Sequence, residues 1–189
     1  MLLDLVKRTR SCRRFDERFA ISRDTLLELV NLARLGASAA NLQPLRYLLV
    51  HTPERNAAVF PHLAWAAYLK DWPGPAAGER PGAYIVILGD TALTKNFWCD
   101  HGIAAQNILL GATERGLGGC IIGAIKKDGL RAALDIPARY EIMLVIALGK
   151  PAEKIVLEPV GPDGDIKYWR DADGVHHVPK RSLDEIVLG

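Results

Sequence analysis

The segment from Asp100 to Arg115 constrains the fold more than any other part of the chain, because it is apolar almost all round. Its length suits one helix, and Gly116 is a suitable residue to end it. A helix on a protein surface carries its apolar side chains on one stripe only. We therefore expect this helix to lie at the centre of its domain or at a subunit interface.

Apolar stretches on either side of this helix predict strands. Residues 83–89 form a near-continuous apolar run, which is typical of a strand buried on both faces. Residues 45–50 and 141–148 also predict strands, and residues 118–123 predict a short strand between glycines. These strands and the central helix indicate a layered packing of helices on a sheet.

The remaining segments predict shorter helices and one unusual tail. Helices are expected over residues 2–8, from the N-cap Ser22 to Gly36, over 53–70 with a break or restart at Pro61, over 126–134 and over 182–188. The order of elements predicts a mixed α/β layer in a single domain, residues 1–189. The tail over residues 152–189 is polar and rich in Gly, Pro and Asp, so we expect it to find little to pack on in its own subunit and to reach across a partner.

Composition excludes several classes of function. A net charge of +2 is too small for a dedicated nucleic-acid binder. The three cysteines form no CxxC pair and the five histidines show no metal-ligand spacing, which argues against a disulfide framework and a zinc site. No apolar run reaches membrane-spanning length. We expect a cytoplasmic protein that binds neither nucleic acid nor membrane.

The first candidate binding segment is the basic stretch Arg10, Ser11, Cys12 and Arg13. Guanidinium groups match phosphate oxygens in pairs, and a serine hydroxyl adds a further donor. The alternative is a solvated basic patch, which is what most charge runs are.

The second candidate is the polar segment that holds Ser38, Asn41 and Gln43, between a helix and a strand. Its side chains offer donors and acceptors that suit the polar edge of a heterocycle. The alternative is an ordinary helix-to-strand turn, for which Ser, Asn and Pro are common choices.

Two further candidates are weaker. The glycines from Gly116 to Gly123 let backbone amides approach a flat ligand, although a helix cap followed by a bulged strand would use the same residues. Near the C-terminus, Lys180 and Arg181 could close over an anion from the opposite side, although a helix start with exposed charge is the alternative.

Taken in order, these segments resemble the nitroreductase family of flavoproteins from about Leu5 to Arg181. The family's R-R-S-x-R-x-F stretch is matched by residues 9–15, and its P-S-x-x-N-x-Q-P-W stretch by residues 37–45. A helix of D-x-G-x-A-x-Q-N type is matched by residues 100–107, and a G-L-G-x-C segment by residues 116–120. The chain departs from the pattern at Thr9, Ala37 and Leu45 and, in comparison with members that carry an acidic residue there, at Gly123.

The resemblance implies an α+β fold with a mixed central sheet flanked by helices, and an obligate homodimer that exchanges C-terminal segments and holds FMN at its interface. It places Arg10 and Ser11 on the FMN phosphate together with Lys180 or Arg181, and Arg13 near the N1 and O2 edge of the flavin. Cys12 belongs to the same segment. The resemblance also places Ser38, Asn41 and Gln43, from the other subunit, on the flavin or its ribityl chain. An amide around Ile122–Gly123 would donate to flavin N5.

These implications predict an FMN-dependent oxidoreductase. NADH, NADPH or another donor would reduce the flavin and leave, and a nitroaromatic, quinone or enone acceptor would then take the electrons. Residues 61–82 are a candidate lid over the flavin, although an aromatic core with a mobile loop explains them equally well. Two other functions remain open: a flavin-binding relative that dehalogenates or processes the flavin itself, and a non-enzymatic dimeric binding module.

Overall fold

The computed structural model describes all residues, 1–189. The helices are α1 (Leu2–Arg8), α2 (Arg23–Arg34), α3 (Pro53–Val59), α4 (Asp100–Glu114), α5 (Lys127–Leu134) and α6 (Leu183–Ile186). The strands are β1 (Phe15–Asp16), β2 (Leu45–Val50), β3 (Ala83–Asp90), β4 (Gly118–Ile122), β5 (Tyr140–Pro151), β6 (Ile155–Pro159), β7 (Trp169–Arg170) and β8 (His176–Lys180). The α+β class is confirmed.

The larger sheet has the order β2–β3–β5–β4, with β1 beside the last two residues of β5. All of these strand pairs are antiparallel. Parallel pairing occurs between β6 and β8 in a second, three-stranded sheet, and at a single bridge between Ser11 and Gly119. β2 therefore forms one edge of the larger sheet, and β4 lies on the opposite side of the central pair β3–β5.

Strand β3 is buried along its whole length because its two faces serve two different cores. Tyr84, Val86 and Leu88 pack in the core that α3 and α5 cover, whereas Ile85 and Ile87 pack in the core under α2 and α4. Side chains of a strand alternate between its faces, so one apolar run supplies both layers. The expectation of a strand buried on both faces is confirmed. Removing one such side chain, as in Ile85→Ala, would cost about 2–5 kcal/mol.

Helix α4 packs on α2 and on the sheet through its small and branched residues. Its fully buried side includes Ala104, Ala105 and Ile108. Its other side is not covered: Leu110 is only partly buried and lines an open groove together with Leu5 and other residues of α1 and α2. The central position is confirmed, and Leu110 is left facing an open groove.

Part of the tail packs on its own chain, although most of its residues are exposed. Glu153 accepts hydrogen bonds from the backbone amides of Arg13 and Arg14 and pairs with Arg170 at 2.8 Å. His176 is 1% exposed. Packing of the tail on a partner subunit stays a prediction. Residues 161–167 and 180–189 are exposed, including Leu188 and its apolar neighbours.

Three element boundaries differ from the predictions. The helix expected over 53–70 ends at Val59, and a 3₁₀ turn at Phe60–His62 follows it. Beyond that turn the chain is extended, and Leu63 forms a β-bridge with Ile125. β5 is longer than residues 141–148, and the last helix covers only Leu183–Ile186. None of the helices combines the length and the apolar character that a bilayer crossing needs.

Candidate functional site

The basic segment runs beside β4 and is held there by its backbone. The Cys12 amide donates to the carbonyl of Gly119 at 2.9 Å, and Ser11 bridges to the same glycine. A Cβ on Gly118 would lie 3.0 Å from Cys12 Cβ, and one on Gly119 would lie 2.7 Å from the Ala147 carbonyl oxygen. The space beside these two glycines is therefore filled by neighbouring segments of the same chain and not by a ligand. This corrects the interpretation of Gly118 and Gly119 as part of a ligand surface.

Arg10 lies in a cleft of about 500 Å³ near the end of α1. Its Nη2 donates to the Val6 carbonyl at 2.9 Å, while its Nε is buried with no hydrogen-bond partner. Burial lowers the pKa of this guanidinium. Lys7, Arg8, Cys12 and Glu153 line the same cleft. A partly desolvated cation with an unpaired nitrogen is suited to an anionic ligand.

Cys12 itself contributes no reactive group. Its side chain is 3% exposed and its Sγ lies 3.3 Å from the Arg14 carbonyl oxygen, to which it donates. Burial and the nearby Glu153 carboxylate raise the pKa of the thiol to about 12. Its backbone amide already donates to the Gly119 carbonyl, so Cys12 contributes only the volume of its side chain to the cleft lining.

Arg13 turns away from the cleft that Arg10 lines. Neighbouring side chains alternate along an extended segment, so residues 10 and 13 lie on opposite sides of it. Arg13 Nε donates to the Trp65 carbonyl at 2.9 Å, and its guanidinium lies 4.9 Å from the centre of the Tyr168 ring. Its Nη1 is 3.4 Å from His176 Nε2. Within one chain, Arg10 and Arg13 therefore do not meet at one point.

His176 supports Arg13 as a neutral group. Burial lowers the pKa of His176 to about 4; the Glu153 carboxylate opposes this effect, and the charges of Arg13 and Arg170 add to it. A neutral imidazole can accept from Arg13 in the tautomer with its proton on Nδ1. Sequence reasoning missed His176, because nothing in its polar surroundings along the chain indicates burial.

A second cleft, of about 650 Å³, lies where β4 ends. It is lined by Ile121, Ile122, Gly123 and Ala124 on one side and by residues from Leu63 to Pro73 on the other. The Gly123 amide donates no hydrogen bond to the protein, and a Cβ on Gly123 would meet only Leu144 Cδ2, at 3.8 Å. This is the amide that the sequence singled out, and it faces open space.

The candidate lid is the other wall of this cleft. Trp65 is 6% exposed, packs on Phe60 with a 5.7 Å separation of ring centres, and is held by Arg13 through its carbonyl. Tyr68 and Lys70 are exposed, and Lys70 lies on the cleft lining with Lys126. The first part of residues 61–82 is thus a fixed aromatic wall with charged side chains beside it.

The polar turn before β2 is strained and is held by a buried carboxylate. Ala40, Asn41 and Gln43 have φ values of 50°, 54° and 49°, which residues other than glycine rarely adopt. Asp100, 3% exposed, accepts from Ser38 Oγ at 2.6 Å and from the Ala39 amide at 3.0 Å. Backbone strain of this kind persists only where surrounding contacts enforce it, and it concentrates at functional sites.

The side chains of the turn divide into two groups. Ser38 Oγ is occupied, because it also accepts from the Gln43 amide at 2.9 Å. Asn41 and Gln43 are exposed, and their side chains touch only each other and nearby backbone. The structure thus gives Ser38 a positioning role and leaves Asn41 and Gln43 free to contact a ligand. Asp100 was missed as a site residue, although it opens the predicted helix.

The turn and the Gly123 amide lie on opposite sides of the sheet's central pair. The turn leads directly into β2, which is separated from β4 by β3 and β5. At about 4.8 Å per strand, three spacings amount to roughly 14 Å. A single ligand that contacts both within one chain would have to span at least this distance.

The two cations of the tail stand apart from the clefts. Lys180 ends β8 and is exposed, and Arg181 Nη1 lies 3.4 Å from Glu185 Oε1 on α6. Neither lines the cleft that holds Arg10. Their role in binding a phosphate stays a prediction.

Comparisons with known proteins identify the family. The model of the nitroreductase family matches residues 6–150. A Methanothermobacter thermautotrophicus protein with the provisional name NADH dehydrogenase/NAD(P)H nitroreductase is 30% identical over 159 residues, 80% of this chain and 78% of its own.

Solved structures give the same result. A provisionally named nitroreductase from Desulfovibrio desulfuricans, solved in complex with FMN, is 25% identical with a TM-score of 0.72, and the match covers 100% of this chain and 95% of that one. A nitroreductase family protein from Clostridium novyi NT, 21% identical with a TM-score of 0.65 over 98% of both chains, shows the fold alone. The family model covers well over half of the sequence, and the motifs on which the resemblance rested lie in the turn before β2, in α4 and beside β4. The chain therefore belongs to the nitroreductase family.

Proposed function

We propose that this chain is an FMN-dependent oxidoreductase that works as a homodimer. NADH, NADPH or another donor delivers electrons and leaves before a nitroaromatic, quinone or enone acceptor enters. The FMN bound to the Desulfovibrio desulfuricans relative supports the cofactor, and the name of the Methanothermobacter thermautotrophicus relative supports a nicotinamide donor. The three unpaired cysteines are compatible with the reducing cytoplasm that we propose as its location.

The observation that carries the proposal is the free amide of Gly123 on the lining of the cleft beside β4. Gly123 is exposed, so its unpaired N–H is accessible to a ligand, and the space beside it has an apolar, aromatic wall. A ligand bound there would offer an acceptor to the N–H and an apolar face to the wall. A planar heterocycle with an acceptor nitrogen meets both requirements, since its faces are apolar and its edge is polar. Trp65 and Ile122 supply the apolar surroundings.

The phosphate end of FMN fits the basic segment. Arg10 keeps a buried, unpartnered Nε, and Lys7 and Arg8 lie in the same cleft. Ser11 is exposed but does not line this cleft, so its part in holding the phosphate stays a prediction. Lys180 and Arg181 would add their charges only if the tail rearranges, because Arg181 now pairs with Glu185.

The dimer follows from the position of the polar turn. Asn41 and Gln43 have free side chains, yet their own Gly123 lies across the sheet. In a two-fold symmetric dimer each turn would face the β4 edge of the partner, so that each copy completes the other's site. The open groove lined by Leu110 of α4, together with Leu5, Leu32 and Leu35, offers a contact surface for such a dimer.

When bound, FMN supplies the hydride-transfer chemistry, and the chain supplies binding, orientation and electrostatics. The Gly123 amide would be available to donate to a ring nitrogen of the bound cofactor. Arg13, with its position fixed by Trp65 and His176, would supply a positive charge that stabilises negative charge on the ring. Trp65 and its neighbours keep water from one side of the cleft. No side chain is required to act as a general acid or base.

An absorbance spectrum of the purified protein, followed by anaerobic titration with NADH and NADPH, tests the proposal. We expect a yellow protein whose visible bands bleach with one of the two nucleotides and return when an acceptor is added. A protein that stays colourless after soaking with FMN would contradict it.

Shared sites can be tested by mixing two defective chains. Gly123→Pro removes the free amide, and Asn41→Ala with Gln43→Ala removes the side chains of the turn. A heterodimer of these chains keeps one intact site if the two parts come from different subunits, so its flavin content should be about half that of the wild type. Each homodimer should lose flavin from both sites. No recovery in the heterodimer would place the turn and the amide in the same subunit's site.

A further inference from the structure

A further cavity, about 220 Å³ in volume and partly open to solvent, lies near the end of β2 and the start of β3. It is formed by the connection after β1, the first turns of α3 and the residues that lead into β3. It shares no lining residue with the cleft beside β4. The family resemblance and the proposed function leave this cavity without a role.

Arg80 gives the cavity a positive charge that has no partner. Its guanidinium makes no ion pair and no hydrogen bond with the protein, although most other arginines of the chain are paired or hydrogen-bonded. Its central carbon lies 4.3 Å above the Phe60 ring, and its Nε is buried without a partner. The Nε edge of the guanidinium is thus removed from water, and no hydrogen-bond acceptor takes the place of the water. An anion at the other edge would compensate for that loss.

Tyr84 supplies a second donor at the same place. The residue is 1% exposed and its ring packs in the core, but Tyr84 also lines the cavity and its hydroxyl makes no hydrogen bond with the protein. Burial raises the pKa of Tyr84, and Arg80 opposes this effect only in part, so the hydroxyl keeps its proton. A protonated phenol next to a guanidinium is a pair of donors for one carboxylate.

The remaining lining sets the shape of a ligand. Phe19, Pro53, Ala57 and Phe60 form an apolar side. The cavity is smaller than the roughly 300–1,000 Å³ of pockets that hold drug-sized molecules. Glu17 also lines it, but its carboxylate accepts from the Gly78 amide and forms no ion pair with Arg80. A bulky or strongly charged ligand is therefore disfavoured.

We propose that this cavity binds a small organic monocarboxylate with a compact apolar body, of about the size of benzoate. Arg80 pairs with the carboxylate, Tyr84 donates its hydroxyl proton in a hydrogen bond to the same group, and the apolar body packs on Phe60. The Phe60 ring also packs on Trp65, a wall of the cleft beside β4, so an occupied cavity stiffens that wall. The site does not depend on the proposed oxidoreductase activity.

Isothermal titration of the purified full-length protein with sodium benzoate, at constant ionic strength, tests the proposal. Arg80→Gln should weaken binding at least tenfold, since it removes a charged hydrogen bond. Tyr84→Phe should weaken it several-fold without changing the melting temperature, because the hydroxyl has no partner within the protein. Arg55→Gln is the matched control: Arg55 lies on α3, is exposed and lines no described cavity, so binding should stay within twofold.

Acetate and inorganic phosphate serve as comparison ligands. Both should bind at least tenfold more weakly than benzoate, because acetate lacks the apolar body and phosphate lacks it and carries more charge. Equal affinity for acetate and benzoate would overturn the apolar part of the proposal. Absence of saturable benzoate binding, or equal losses in Arg80→Gln and Arg55→Gln, would overturn the site. Benzoate binding that survives Arg80→Gln and shifts the flavin absorbance would assign it to the cleft beside β4 instead.

Discussion

The β4 edge and the β2 edge of the larger sheet carry the two halves of the candidate site, and they are built in different ways. At the β4 edge, glycine lets backbone approach backbone, and Arg13, Trp65 and His176 fix one another in the interior. At the β2 edge, a strained turn is held by one carboxylate, Asp100. Close packing of the chain fixes the first half, whereas a few polar bonds fix the second and leave its side chains free.

The difference teaches which part of the site is preformed. The β4 edge has its open amide in place without a second copy, because strand pairing sets it. The turn at the β2 edge stores strain and presents Asn41 and Gln43 outward, which suits a part that completes a site on another molecule. Substitutions at the β4 edge should therefore affect folding. Substitutions at the β2 edge should affect the conformation of the turn and its contacts.

The largest expected effect is at the β4 edge. In Gly119→Val, the new Cβ would lie 2.7 Å from the Ala147 carbonyl oxygen and 2.6 Å from Leu109 Cδ2, and the backbone atom cannot yield. We expect the free energy of unfolding to fall by about 3 kcal/mol, as in other overpacked sites. Urea unfolding followed by circular dichroism measures it.

Gly123→Ala is the control for this substitution. Its Cβ would meet only Leu144 Cδ2 at 3.8 Å, so unfolding should change by no more than about 0.5 kcal/mol. If the two glycine variants are equally stable, the β4 edge is not the tightly packed half.

The next effect is at the β2 edge. Asp100→Ala leaves the Ser38 hydroxyl and the Ala39 amide without their acceptor, which should cost about 2 kcal/mol. Limited proteolysis should also cut between residues 38 and 44 in this variant sooner than in the wild type. Ser38→Ala, which removes the hydroxyl and keeps the carboxylate, should show a smaller loss of about 1 kcal/mol. Unchanged proteolysis in Asp100→Ala would show that strand β2 alone holds the turn.

A third effect separates charge from geometry at Arg13. Arg13→Lys keeps a positive charge but loses the fork that spans Trp65 and His176. FMN should dissociate about tenfold more readily, a loss of about 1.4 kcal/mol, as measured by flavin fluorescence on dilution. Arg18→Gln, at an exposed pair with Asp16, should leave flavin binding unchanged. Equal flavin retention in the wild type and Arg13→Lys would mean that the fork has no part in the site.

The smallest effect is a pH dependence confined to the tail that docks at the β4 edge. Hydrogen bonds to Asp171 and then Glu158 raise the pKa of His177. The protonated form therefore stabilises the fold below the ordinary histidine pKa of about 6.5, and this stability is lost as the pH rises through the raised value. The melting temperature of the wild type should exceed that of His177→Gln at pH 5.5, and the two should converge at pH 9.

Its neighbour His176 acts in the opposite direction. Because its pKa is lowered to about 4, its stability contribution is complete above about pH 6.5 and is lost as the pH falls toward 4. His176→Gln should therefore reduce the loss of melting temperature between pH 6.5 and pH 4.5. A His176→Gln profile parallel to that of the wild type would mean that the imidazole is not held neutral.

The sequence predicts those parts of the fold and site that depend on patterns within one segment. The apolar run of β3 and the all-round apolar α4 indicate burial directly, and both are central. The family motifs indicate Gly123, whose amide is open. In contrast, the tail's packing depends on Glu153 reaching the amides of Arg13 and Arg14, about 140 residues away in sequence, and no local pattern contains that contact.

The basic segment shows a second limit. Arg10 and Arg13 are close in sequence and carry the same charge, so they were expected at the same cofactor. The alternation of side chains beside β4 sends them to different sides. Asp100 was passed over for a similar reason: its partners Ser38 and Ala39 lie about 60 residues earlier. Both outcomes depend on strand pairing, which a single sequence does not reveal.

The alternation of β3 between two cores has a consequence for tolerance to change. Replacing one apolar side chain by another of similar volume perturbs a single layer and costs less than about 1.5 kcal/mol. Inserting one residue would instead exchange the layers, sending Tyr84 and Val86 toward the helices α2 and α4, and Ile85 and Ile87 toward α3 and α5. In this strand the alternation of side chains between the two faces is more tightly constrained than the identity of each side chain. Natural variants should therefore differ there by substitution and not by length.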